Sequence, residues 1–361
     1  MKKIIFFPYH PDLKTVIKYK DALRDYQIAG FLSYKEDANL IQPLNQALGL
    51  ADISYEQLLQ DSDAIIILDN YRNYKVDKYY KVIEDALSRQ KEVYIIPLAQ
   101  SQLKLENYQG QYQLLERLPD ALESIEAELK GRQGVIRLYE IDIPVIGIIG
   151  QGINCDKFET QLLLKEVLEE GYETTVVSSN ALGALFGCYT MPSFFYSDLS
   201  FQEKIIKFNH YIKEISKIET PDVMVLGIPE GVLPFEKHEF HHFAEYPLVV
   251  SSAVLIDMAI LCTYYLKEPI FEDGLKLLAD FCQHKFNAPI SAIAISKTAI
   301  EIPDADSEKI IFEYLDEQHL HKHYPDLKKL NLPTVNMFDR LKAKVTIRNC
   351  LRQLEENVRA I

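Results

Sequence analysis

After Met1 the chain runs through Lys2-Lys3-Ile4-Ile5-Phe6-Phe7, and further short stretches with apolar centres recur at 64–69, 93–97, 145–149, 173–178, 222–228 and 290–296. Short apolar runs bounded by charged or turn-forming residues suit strands buried on both faces, as in parallel sheets. A further strand is expected at 28–33. Helical spacing fills 13–26 and 76–89, and Ser54 with Gln57 has the form of a capping box that opens a short helix through Leu59. Residues 102–131, rich in Gln, Glu and Leu, read as helix. Strands alternating with helices predict an α/β, doubly wound, Rossmann-like parallel sheet over residues 1–142. No Gly-x-Gly-x-x-Gly turn follows its first strand. Pro8-Tyr9-His10-Pro11 stands there instead, so no dinucleotide is expected in this domain. Asp69 and Asn70, at the end of a strand, are cleft-edge candidates, because ligands of such sheets collect at the strands' carboxyl ends.

The pattern restarts after Asp142, and residues 143–361 form a second α/β domain. Its strands are expected at 145–149, 173–178, 222–228, 248–250 and 290–296. Residues 339–359 form a basic helix with Ile347, Leu351, Leu354 and Val358 at helical spacing. The longest apolar stretch, 246–266, contains Pro247, two serines and Asp257 near its middle. It reads as a buried strand followed by a core helix, not as a membrane span.

Composition bounds the function. The 361 residues are 48% hydrophobic and 25% charged, enough for two domains with real cores. With 53 acidic and 39 basic side chains the net charge is −14, which argues against nucleic acid or an anionic membrane as partner. The excess is uneven. Residues 1–143 carry 18 basic and 22 acidic side chains and residues 326–361 carry 8 and 4, so the whole of it falls in 144–325. The five cysteines, at 155, 188, 262, 282 and 350, form no CxxC pair, which argues against a disulfide framework or zinc ribbon. The apolar start breaks at Pro8, too soon for a signal peptide, and a cytoplasmic protein is expected.

The most informative segment is Gly150-Gln151-Gly152-Ile153-Asn154-Cys155-Asp156-Lys157-Phe158, between a strand and a helix. Strand, glycine-bearing loop, lysine and helix is the arrangement of a phosphate-binding loop. Small residues let backbone N–H groups converge on a phosphate, the helix N-terminus adds partial positive charge, and the lysine reaches the terminal phosphates. On that basis Gly150, Gln151, Gly152, Asn154, Asp156 and Lys157 are candidate ligand-binding residues. Cys155, near a helix N-terminus that favours thiolate, is a candidate nucleophile or a small packed side chain.

This loop resembles that of dethiobiotin synthetase and its P-loop relatives, where Gly, five residues, Gly, Lys and Thr occur in order. Gly150 and Lys157 match. Asp156 stands where the second glycine belongs and Phe158 where the Mg²⁺-holding Thr belongs. Those relatives follow their third strand with Glu-Gly, the Glu facing the metal, and Pro229-Glu230-Gly231 has that position here. The two-domain plan is also similar to a related family that includes amino-acid N-acyltransferases. Within this superfamily the chain most resembles a clostridial-type peptide maturation system protein, on Gly150 to Phe158 and the stretch 225–234. That resemblance implies a Rossmann-like domain followed by a P-loop NTPase-like domain with a degenerate phosphate loop. It also implies an accessory role in maturing a ribosomally synthesised peptide of the bacteriocin type, with a precursor peptide and a radical-SAM maturase as partners.

The departures have physical weight. A carboxylate at Asp156 facing a phosphate oxygen at 4 Å costs about 4 kcal/mol in a surface dielectric, and Phe158 cannot coordinate Mg²⁺. Three readings of the loop follow: a retired phosphate loop in which Asp156 caps the helix, a site for a nucleotide, acyl-CoA or other anion, and an ATPase with Mg²⁺. The enzyme alternative is acyl or phosphoryl transfer at the cleft of Lys157 and Glu230. The acidity of 144–325 counts against a polyphosphate and leaves a cationic peptide segment as a fitting partner. A homo-oligomer stays open.

Other constellations are weaker. His238-Glu239-Phe240-His241-His242 matches H-E-x-x-H, in which His238 and His242 would share a helix face with Glu239 as base, a zinc peptidase pattern. Pro234 and Pro247 bracket it, and no third ligand is evident beyond Glu230 as a metal candidate. His319, His321 and His323 would share a face only on a strand. Gly183 to Cys188 could line the same cleft as the loop at 150.

Overall fold

The computed structural model describes residues 1–50, 53–70, 74–120, 122, 137–233, 244–265, 272–301, 311–315 and 330–358. By internal contacts the chain forms two compact units, one of Met1–Arg117 with Ala181–Thr190 and one of Leu118–Asn180 with Met191–Ile361.

In the first unit the elements are β1 (Lys2–Phe7), α1 (Leu13–Lys18), β2 (Tyr26–Phe31), α2 (Ala38–Ala47), α3 (Tyr55–Asp61), β3 (Ala64–Ile67), α4 (Asp77–Ser88), β4 (Glu92–Ile95), α5 (Pro97–Gln102) and β5 (Gln113–Leu114). The parallel sheet has the order β2-β1-β3-β4-β5. Ile4, Ile5, Phe6 and Phe7 on β1 and Ala64 to Ile67 on β3 are completely buried, as the unbroken apolar runs require of strands covered on both faces. The α3 helix packs on β1 and β2, and α4 on β3 and β4. Ser54 accepts from the Gln57 N–H at 3.1 Å and opens α3.

The described part of 102–131 is not the expected helix. The α5 helix, started by Pro97 at its first turn, ends at Gln102, and a single 3₁₀ turn and β5 follow. Leu103 and Leu105 are buried at a spacing of two, the period of extended chain, and Gly110 adopts φ +78°. Residues 123–136 lie outside the described residues.

The second unit contains β6 (Val145–Gly150), α6 (Lys157–Leu168) and β7 (Thr174–Ser178). After β8 (Tyr189–Thr190), which belongs to the first unit, come α7 (Phe201–Glu219), β9 (Val223–Gly227), α8 (Glu245–Ala253), β10 (Met258–Tyr265), α9 (Glu272–Phe286), β11 (Ile290–Glu301), β12 (Ile311–Tyr314), β13 (Thr334–Asn336) and α10 (Arg340–Val358). Its sheet runs β12-β11-β10-β6-β9-β7, with β13 on β11. The strands are parallel except for β12, which returns antiparallel on Thr298 to Glu301. Thus β6 is central, flanked by β9 and β10. The α6 helix is buried from Lys157 through Leu164, touching the sheet and α10.

The stretch 246–266 has the reverse of its expected order. Residues 248–250 lie in helix α8, and the strand is β10. The apolar run carries no period that separates helix from strand. Asp257 marks the junction, its carboxylate accepting from the Val145 N–H at 2.8 Å and so aligning β10 with β6. Among the described residues no helix is long and apolar enough to cross a membrane.

Candidate functional site

The loop 151–156 leaves the carboxyl end of β6, where ligands of such sheets collect. It is tied on both sides. Gln151 donates its N–H to the Cys262 carbonyl at 2.8 Å and accepts at its side-chain oxygen from the Tyr264 N–H at 3.3 Å. The Tyr264 hydroxyl donates to the Ile153 carbonyl. On the other side Val232 and Leu233 donate to the carbonyls of Gly150 and Gln151 at 3.0 and 3.2 Å. A Cβ on Gly231 would stand 2.2 Å from Gly152 Cα, so only glycine lets these two backbones meet.

Lys157 turns back into the loop. Its Nζ donates to the Gly152 carbonyl at 3.0 Å and to the Glu230 carbonyl, and the side chain is buried. Cys155 Sγ donates to the same Gly152 carbonyl at 3.1 Å. A Cβ on Gly150 would meet Cys155 Sγ and the Gly152 carbonyl at 2.7 Å and Lys157 Cδ at 2.8 Å. The space beside the Gly150 Cα is taken by the Cys155 sulfur, the Gly152 carbonyl and the Lys157 methylenes.

Asp156 occupies the left-handed region, φ +56°, as does Asn154 at φ +54°. That explains how Asp replaces the glycine of the resembled motif, since Asp and Asn tolerate this conformation best among non-glycine residues. It does not cap α6 through its side chain, contrary to expectation. Its carboxylate instead accepts from the Lys297 N–H at 2.6 Å. Lys297 also pairs with the buried Glu159 at 3.1 Å. Phe158 is buried in α6, and the Thr160 hydroxyl donates to the Asp156 carbonyl at 2.9 Å. With Phe158 where the resembled motif has its Mg²⁺-holding Thr and a carboxylate at Asp156, these residues do not fit a magnesium polyphosphate.

The helix-terminus argument for a Cys155 thiolate is overturned by burial. The side chain is 1% exposed, and desolvation raises the thiol's pKa against the opposing charge of Lys157. Glu230 adopts φ +54° and is half-buried. Burial foremost, with the charge of Glu230 next, holds the Tyr246 phenol above its usual range. The structure therefore brings Gly150, Gln151, Gly152, Asn154, Cys155, Asp156, Lys157 and Glu230 together. It adds Lys297, Tyr264 and Cys262, which no local sequence signal marks.

Of the remaining candidates, Gly183 to Cys188 belongs to the first unit. There the Arg117 guanidinium lies 4.3 Å from the Tyr189 ring centre and donates to the Gly187 carbonyl. Asp69 Oδ1 is 3.6 Å from His10 Nε2. The Asn70 side chain accepts from the Tyr74 N–H at 2.8 Å, and the Asn70 backbone N–H donates to the Gln102 side chain at 2.9 Å, so Asn70 holds a turn. His238, Glu239 and His242, with His319, His321 and His323, lie outside the described residues. Among the described residues no group of three His, Cys, Asp or Glu could hold a metal ion.

No family model and no curated protein matches the chain. Among solved structures, a DUF1611 family protein from Anabaena variabilis is similar over 98% of this chain and 100% of its own, at 12% identity and a TM-score of 0.57. That likeness shows the fold. A GTPase from Pyrococcus abyssi (14% identity, 57% of this chain and 84% of its own, TM-score 0.28) and chloroplast FtsY from Physcomitrella patens (12%, 93% and 94%, 0.27) are more distant. The fold is α/β, with a five-stranded parallel sheet in the first unit and a mixed, mainly parallel sheet in the second.

Proposed function

We propose that this protein works by binding rather than by nucleotide chemistry, as a cytoplasmic accessory protein in the maturation of a ribosomally synthesised peptide, contacting the peptide or its modifying enzyme. The observation that carries the first half is Lys157, whose ammonium group is spent on the Gly152 and Glu230 carbonyls. The peptide-maturation half rests on the resemblance carried by Gly150 to Phe158 and the stretch 225–234. Support also comes from the loop's surroundings. Ile153 in the loop and Leu233, three residues after Glu230, are 47% and 37% exposed, in the part of the chain that holds the acidic excess. An apolar side chain flanked by cationic residues suits such a surface.

The test is calorimetric titration of the full chain with candidate precursor peptide, acetyl-CoA and ATP–Mg²⁺ in parallel. Heat with the peptide alone, weakened in Ile153→Ser, is expected. The second reading, acyl or phosphoryl transfer, is favoured by one observation, the meeting of Lys157 with the Glu230 backbone. Tight acetyl-CoA or ATP–Mg²⁺ binding that disappears in Lys157→Ala would put it in place of the first.

A further inference from the structure

The first unit holds a cavity of about 580 Å³ at the carboxyl end of β2, between α2, α3 and α4. Its size is that of a small-molecule pocket, which spans about 300–1,000 Å³. The floor is apolar and buried, built by Phe31, Ile41, Leu58 and Val82. The backbone at the floor is already satisfied. Asn45 accepts from the Phe31 N–H at 3.0 Å and donates to its carbonyl at 3.1 Å, so a ligand there needs no hydrogen bonds of its own.

The rim has a different character. Lys35, Lys78 and Lys81 converge on it, and among the described residues none of the three is paired with a carboxylate. Some lysines elsewhere do pair with carboxylates, Lys2 with Glu92, Lys204 with Glu245, Lys213 with Asp142 and Lys344 with Glu166. Lys78 is held in place, donating to the Ser33 carbonyl at 2.6 Å with its Nζ 5.2 Å from the Tyr34 ring centre. Burial lowers its pKa, Glu36 opposes that, and the charges of Lys35 and Lys81 add to it. Lys78 thus feels the like charges of Lys35 and Lys81 as well as the charge of Glu36 at the mouth of an apolar hollow, where an anionic head group would give the ammonium groups a further partner.

We propose that this cavity binds a small amphiphile, its carboxylate or phosphate head at Lys35, Lys78 and Lys81 and its apolar body on the floor. The inference uses no part of the loop at 150–157 and stands or falls separately from the proposed function.

Calorimetric titration of the full chain with hexanoate, octanoate, octyl phosphate and octylamine tests it. Octanoate and octyl phosphate should bind one to one and octylamine should not, and the tighter of the two identifies the head group. Octanoate should bind roughly tenfold more tightly than hexanoate, from two further buried methylenes. Lys81→Gln, at an exposed side chain that folding does not need, should weaken octanoate binding severalfold. Ala38→Trp, at an exposed position lining the mouth, should abolish it. Octylamine binding as tightly as octanoate, no binding of either anion, or an unchanged affinity in Ala38→Trp would overturn the proposal.

Discussion

Lys157 decides how the loop is read. In a phosphate cradle its ammonium would face a ligand, whereas here it closes the loop by donating to two carbonyls. Lys157→Ala should therefore act on stability. Charge-assisted hydrogen bonds of this kind contribute about 1.5–3 kcal/mol, so the variant should unfold at lower denaturant, and a midpoint equal to the parent's would show that the lysine holds nothing. Cys155 makes a second prediction. With its thiol buried and its pKa raised, iodoacetamide should leave it unmodified in the native protein at pH 8 and alkylate it once the chain is unfolded, read by peptide mass spectrometry. The sequence makes the strand, Gly150, Lys157 and Glu230 legible. It does not tell where Lys157 points, because the Glu230 carbonyl that accepts its hydrogen bond lies 73 residues away. Lys297 escapes notice for the same reason, its N–H reaching Asp156 across 141 positions.

At the scale of elements, the buried strands were legible because two-sided burial writes itself as an unbroken apolar run. The same property hides the order of helix and strand in 246–266, where α8 and β10 are both buried and neither shows a period. The terminal helix was legible as basic and amphipathic, but not its purpose. Arg340 and Lys344 reach Glu166, and Arg348 reaches Glu170, at 2.5–2.7 Å, so α10 lies along α6 with matched charge at successive turns. Ala343 and Ile347 are buried beneath this row. Desolvation pushes Glu166 up, but hydrogen bonds from Arg340 and Lys344 outweigh it and hold its carboxyl below the usual range. A carboxyl with a depressed folded-state pKa contributes stability above its unfolded value, about pH 4.3, and loses it as pH falls through the folded value. Glu166→Gln should thus lower the melting temperature at pH 7, by the equivalent of about 1 kcal/mol or less, and the gap to the parent should shrink towards pH 3. A gap that widens on acidification would contradict the pairing.

For the whole molecule, the charge distribution takes on a different meaning. By sequence, 326–361 and 144–325 are a basic segment and an acidic one. In the fold, part of that acidity, Glu166 and Glu170, is matched from within by α10. Around the loop the described residues include a half-buried Glu230 and the exposed apolar side chains of Ile153 and Leu233. The central claim is that the loop at 150–157 is closed by its own lysine and is not a nucleotide cradle. Calorimetric titration of ATP–Mg²⁺ into the parent and Lys157→Ala proteins tests it most directly. No binding heat in either is predicted, and tight binding by the parent that is lost in Lys157→Ala would contradict it.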